Sequence, residues 1–196
     1  SVVIEEQQRE EEVDTSTQLA SKVEKMLIQA VIKDGEKIIF RDVKDENSGQ
    51  IYNLTVAQYI AYDLGSDNLS FSNELYAKIL QEAVEQCNNE GFKAEEYFTQ
   101  HADIDISSVA VRLSVDRFQL AESLQVKETE QTLRDRVLHL VADFRLEYLS
   151  SYLKELNARL LQVKDSEEMQ EIMSEIMRTQ NLRNELAKKT GSNILV

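Results

Sequence analysis

Few residues in this chain could do chemistry. Cys87 is the single cysteine, and His101 and His139 are the two histidines. These three residues cannot form an internal disulfide or supply the four nitrogen or sulfur ligands of a structural zinc site. A di-iron bundle site needs Glu-x-x-His on each of two helices, and neither histidine has Glu three residues before it. We therefore expect no metal and no cofactor.

Catalytic sequence motifs are also missing. The chain contains no G-x-x-x-x-G-K phosphate loop, no G-x-G-x-x-G turn, no G-x-S-x-G nucleophile elbow and no H-E-x-x-H pair. We expect no catalytic residues and no enzymatic activity in this chain. Cys87 lies on an apolar helix face, where we expect a small core residue rather than a reactive thiol.

Composition narrows the protein class further. The chain has 36 acidic and 22 basic residues and a formal charge of -14, which opposes binding to phosphate. It has no Pro and five Gly, a composition that favours helices. No apolar run reaches the ~18 residues of a membrane span, so we expect a soluble, cytoplasmic protein without membrane contact. Because the sequence opens with Ser, we expect a fragment of a longer protein.

Apolar residues recur at helical spacing along most of the chain. The helices that this spacing predicts must position any functional residue. The predicted helices are at about 16–34, 55–64, 75–87, 94–100 and 104–113, then one of about 30 residues from Thr129 and a last one from Asp165 to Gly191. Asp14, Thr15 or Ser16 could cap the first helix, and Gly65 should end the second. The β-favouring runs 37–40 and 51–54 flank a turn-prone segment and predict a small hairpin.

The predicted fold is therefore mainly α. We expect a helical bundle with a small β-hairpin, followed by a long helix and a C-terminal helical hairpin. The predicted parts are an acidic linker over 1–14, the bundle over 15–126, and the long helix with the hairpin over 127–196.

The last helix carries the strongest functional pattern. Met169, Met173 and Met177 lie at i, i+4 and i+8, and Ile172 and Ile176 fill the same side. The long helix must cover the bundle as well as this stripe. We therefore expect part of the stripe to remain open for a partner protein. The stripe could equally be the core of the hairpin. The candidate partner-binding residues are Ile176, Met177, Arg178, Leu182, Arg183 and Leu186.

Three segments resemble a known family. They are Gly35–Lys37 with Val56–Ile60 and Asp63–Leu64, the stretch Val115–Leu120, and the closing Asn184–Lys189. In this order they resemble the C-terminal domain of the bacterial replicative DNA primase, the DnaG type, over about residues 15–189.

The resemblance implies a non-catalytic domain that docks a primase on the hexameric DnaB-type replicative helicase and couples primer synthesis to unwinding. The full-length protein of that family is a primase, a DNA-directed RNA polymerase. The resemblance further implies that the terminal hairpin grips the helicase and that the bundle modulates it. The β-favouring stretch 37–54 departs from the helical pattern of that family.

Two other hypotheses remain open. The chain could be a free-standing helical scaffold or coiled coil that self-associates through the apolar stripe of residues 133–160. It could also be a helical-bundle enzyme with an unrecognised site. The interaction-domain hypothesis predicts a monomer in solution, whereas the scaffold predicts a stable dimer.

The first testable prediction concerns nucleic acid. Because a charge of -14 repels phosphate, we expect this chain to bind single-stranded DNA only weakly. Fluorescence anisotropy with a labelled oligonucleotide at ordinary salt measures this directly. Sub-micromolar affinity would contradict the prediction.

Overall fold

The computed structural model describes residues 21–46, 48–121 and 128–191, without the side chains of 116–121. The acidic linker predicted over 1–14 lies outside these ranges. The predicted boundaries at 14/15 and 126/127 also fall outside them, so that division of the chain stays a prediction.

Within the described residues the fold is mainly α with one small antiparallel β-hairpin, which confirms the predicted fold class. The elements are α1 Lys22–Asp34, β1 Ile38–Lys44, β2 Ile51–Thr55, α2 Val56–Ser66, α3 Glu74–Gln86, α4 Ala94–Thr99, α5 Ile104–Ala121, α6 Glu130–Leu160 and α7 Ser166–Thr190. The chain divides into two compact units between Leu138 and His139, inside α6. None of the described helices is long and apolar enough to cross a membrane.

Capping residues set several helix ends. Thr55 and Gln58 form a reciprocal capping box at the start of α2, as their spacing predicts. Ser21 caps α1 by accepting a hydrogen bond from the Glu24 amide at 3.0 Å. The caps predicted at 14–16 lie outside the described residues.

Three predicted helix ends are wrong. The first helix, predicted from about 16, begins at Lys22, because Ser21 has extended backbone and acts as the N-cap. Gly65 lies inside α2, which continues to Ser66. The helix predicted over 104–113 continues to Ala121, because a mixed polar and apolar sequence without Pro or Gly contains nothing that breaks a helix.

The first unit packs around α1. This helix buries Leu27, Ile28 and Val31 completely and contacts α2, α3, α4 and α5. Its buried Glu24 carboxylate accepts hydrogen bonds from the amide and hydroxyl of Ser72, at 2.7 and 2.8 Å. The loop between α2 and α3 is thereby attached to α1, and the buried charge is paired with donors.

The β-hairpin contacts the beginning of α6. Arg41 on β1 makes a bidentate ion pair with Glu130, with its shortest N–O distance 2.8 Å. The Arg134 guanidinium lies 5.7 Å from the centre of the Phe40 ring, which itself contacts Tyr59. These contacts hold the first turns of α6 against the β-hairpin of the first unit.

A buried ion pair makes the strongest such contact. The Asp34 side chain, at the end of α1, is 4% exposed. It accepts hydrogen bonds from Lys37 Nζ at 2.6 Å and from Arg136 at 2.9 Å. Arg136 also binds Glu128 at 2.8 and 3.0 Å. One guanidinium therefore joins α1, the residues before α6, and α6 itself.

We predict that Arg136→Met lowers the free energy of unfolding by about 3 kcal/mol, because it leaves a buried carboxylate short of a cation. Arg41→Met is the matched control: it removes an exposed ion pair and should cost less than ~1 kcal/mol. Urea denaturation followed by circular dichroism measures both. Equal losses would show that the Asp34 pair has no special role.

Candidate partner-binding surface

The second unit contains a helical hairpin made by the end of α6 and by α7. Asp165 caps α7 by accepting hydrogen bonds from the amides of Glu167 and Glu168, at 3.0 and 2.9 Å. Gly191 ends it with φ at 68°, a left-handed conformation that favours glycine. Both ends agree with the sequence prediction.

The hairpin has a small apolar core of its own. Leu153 and Leu156 of α6 pack with Ile172 and Ile176 of α7. Tyr152, Leu160 and Val163 are partly buried against this cluster. Ile172 and Ile176 are four residues apart, so they lie on one face of α7.

The methionines of α7 lie beside this core and not in it. Met173 is 51% exposed and Met177 is 65% exposed, and Met169 is also exposed. Met173 and Met177 each follow a core isoleucine by one residue, which places them about 100° further round the helix. We call Met169, Met173 and Met177 the methionine edge.

The six candidate residues therefore occupy different environments. Ile176 is 9% exposed and belongs to the hairpin core, whereas Met177 lies on the methionine edge. Arg178 is exposed, and Arg183 and Leu186 are half-buried. Leu182 is 55% exposed but lies five residues after Met177, about 140° round the helix. The six residues thus do not form one patch, and their binding role stays a prediction.

Charge along α7 is divided between its two ends. The acidic residues of the first part are Asp165, Glu167, Glu168, Glu171 and Glu175, and the basic residues of the last part are Arg178, Arg183, Lys188 and Lys189. This distribution complements the helix dipole, at a few tenths of a kcal/mol for each charge. It also presents a basic end next to the methionine edge.

The apolar stripe predicted for self-association is mostly covered within the single chain. Leu133, Val137, Phe144 and Leu156 are buried. Tyr148 is the main exception, because it is 47% exposed and stacks on Tyr152 with ring centres 6.3 Å apart. Little of the stripe is therefore open for a coiled-coil partner.

The residues that could do chemistry lie apart from this hairpin core. Cys87 is half-buried with its Sγ 3.2 Å from Thr55 Oγ1, and burial raises the pKa of its thiol. His101 Nε2 is 3.0 Å from a carboxylate oxygen of Glu82, and His139 is exposed. Over the described ranges no three His, Cys, Asp or Glu residues are grouped as metal ligands would be.

Sequence reasoning missed two surface features. Ile104, Val111 and Val115 are exposed along one side of α5, at spacings of seven and four residues that identify a helical stripe. The second is a pocket beside Tyr97 and His101. Its signal in the sequence is the mixture of aromatic residues and carboxylates over 90–101.

Comparison with known proteins gives one match. Residues 7–194 match the model of a family described as a domain of unknown function, DUF8430. Searches of curated proteins and of solved structures give no significant match. The family match covers the bundle and the hairpin together.

Substitutions on the two faces of α7 should distinguish core residues from surface residues by their effect on stability. We predict that Ile176→Asp lowers the free energy of unfolding by several kcal/mol, because it places a carboxylate in the hairpin core. Met177→Asp should cost less than about 1 kcal/mol, since its side chain is mostly in water. Thermal melting of both variants tests this. If Met177→Asp is as damaging as Ile176→Asp, the methionine edge is part of the core.

Proposed function

The chain belongs to the DUF8430 family, a domain of unknown function, and we propose that it is a non-catalytic interaction domain that binds a partner protein through its C-terminal hairpin. The methionine edge is the observation that carries this proposal. Three long apolar side chains are exposed beside a buried apolar cluster that does not include them. Binding of a partner protein that covers such an apolar surface is favourable, because it removes the surface from water.

Methionine suits this role for a physical reason. Its unbranched, polarisable side chain reshapes to fit an apolar partner surface at little cost. The exposed Arg178 lies next to the edge and could anchor the rim of an interface, because Arg is enriched among the residues that contribute most to binding. The surface therefore combines an adaptable apolar centre with a neighbouring arginine.

The partner that we propose is the hexameric DnaB-type replicative helicase. This identity rests on the resemblance of residues 35–37, 56–60, 63–64, 115–120 and 184–189 to the C-terminal domain of DnaG-type primases. On this proposal the chain is part of a bacterial DNA primase, and it links primer synthesis to unwinding in the cytoplasm. The polymerase activity would belong to other parts of the parent protein, and the net charge of -14 argues against a direct grip on DNA.

The test is binding of the full chain to purified helicase, measured by isothermal titration calorimetry. We expect the double variant Met173→Asp with Met177→Asp to weaken binding at least tenfold, equivalent to about 1.4 kcal/mol, because two apolar contacts become charged. Met26→Asp is the matched control, since this fourth methionine is 42% exposed on α1 in the first unit. It should leave binding unchanged.

Three results would contradict the proposal. The parent chain could fail to bind helicase, which would remove the proposed partner. Leu182→Asp could abolish binding while the methionine variant binds normally, which would move the grip to the opposite side of α7. Sedimentation equilibrium could show a stable dimer that the methionine substitutions dissociate, which would make this edge a self-association surface.

A further inference from the structure

The first unit has a pocket of about 620 Å³ between the end of α3 and the outward face of α4. Its lining includes Glu90 and Phe92 from the turn that follows α3, Glu96 and Tyr97 from α4, and His101. The pocket lies wholly within the first unit and contains none of the residues of the methionine edge.

Aromatic rings form part of its lining. Tyr97 is central, with its ring centre 5.5 Å from Phe92 and 5.4 Å from His101, both in edge-to-face geometry. On its other side Tyr97 contacts the fully buried Phe98 at 5.0 Å. This packing fixes the tyrosine ring, while Phe92, Tyr97 and His101 each remain partly exposed.

Negative charge surrounds these rings. Glu82 accepts a hydrogen bond from the Tyr97 hydroxyl at 3.5 Å, and His101 Nε2 lies 3.0 Å from a carboxylate oxygen of Glu82. Burial raises the pKa of Tyr97, and the nearby carboxylates of Glu82 and Glu85 raise it further. The part of this shift that comes from the two carboxylates shows negative charge close to the ring, and such charge favours a cation over an anion.

The two carboxylates on the rim are available for a ligand. Glu90 and Glu96 are exposed, and their side chains form no ion pair or hydrogen bond with any described residue. Lys93 is the basic residue of the lining, and its ammonium lies 4.0 Å from Glu36. The pocket thus offers unpaired negative charge next to aromatic rings.

We propose that this pocket binds an arginine side chain of the partner protein. A guanidinium can stack on an aromatic ring and donate two parallel hydrogen bonds to a carboxylate, whereas an ammonium group is a compact, strongly hydrated charge. The volume exceeds one side chain, so the residues next to the arginine also fit. The inference extends the proposed function by adding a second contact on the bundle, separate from the hairpin.

The first experiment uses a model ligand and the full chain. An acetylated and amidated Gly-Arg-Gly peptide is titrated into isotopically labelled protein, and the amide signals of Phe92, Tyr97 and His101 are followed by NMR. We expect saturable shifts with an affinity on the order of millimolar, as befits a single side chain. A peptide with citrulline for arginine has the same shape without the charge, so it should produce no saturable shifts.

Variants that remove carboxylate charge test the pocket, with a control variant elsewhere in the first unit. The double variant Glu90→Gln with Glu96→Gln should bind the arginine peptide about fivefold more weakly or worse, because the carboxylates that pair with the guanidinium are gone. Glu46→Gln, at the exposed turn of the β-hairpin, makes the same kind of change away from the pocket and should have no effect. Equal binding of citrulline, or no loss in the pocket variant, would overturn the proposal.

A second experiment repeats the helicase titration with the same variants. The pocket variant should weaken helicase binding at least threefold, and the loss should add to that of the methionine variant because the two sites share no residues. If helicase does not bind the parent chain while the arginine peptide still does, the proposed partner is wrong and the arginine site stands. If the arginine peptide does not bind while helicase binding depends on the methionine edge, the site is wrong and the proposed function stands.

Discussion

The buried carboxylate of Asp34 is the constraint on which the first unit depends. A charge with 4% exposure must be paired, and its partners come from both directions along the chain. Lys37 lies just before the β-hairpin, and Arg136 lies on the second turn of α6, about a hundred residues away in sequence. The β-hairpin and the start of the long helix are therefore tied to α1 by ion pairs as well as by apolar packing.

Local rules predicted most of the secondary structure. The Thr55–Gln58 capping box, the Asp165 cap and the terminal Gly191 depend on a few neighbouring residues, so their spacing identifies them in the sequence. The extension of α5 from residue 113 to Ala121 is not evident from the sequence, because the apolar pattern is interrupted there. Helix propensity without breakers was enough to continue it.

Long-range pairing could not be predicted. Nothing local links Asp34 to Arg136, or Tyr97 and His101 to Glu82, because these contacts join separate elements. The division of α7 into a core face and a methionine edge was also beyond the sequence, since Ile176 and Met177 both fit the same stripe. Only the position of α6 against α7 decides which of them is covered.

The single cysteine offers a reporter of motion in the first unit. The thiolate of a cysteine is the form that attacks thiol reagents, and burial disfavours it in Cys87 by raising the pKa of the thiol, although the hydrogen bond with Thr55 Oγ1 acts in the opposite direction. Packing between α2, α3 and the end of α1 therefore slows the modification of this half-buried thiol, and loosening of that packing should speed it. A change in the modification rate thus reports on the first unit without a probe being introduced into the chain.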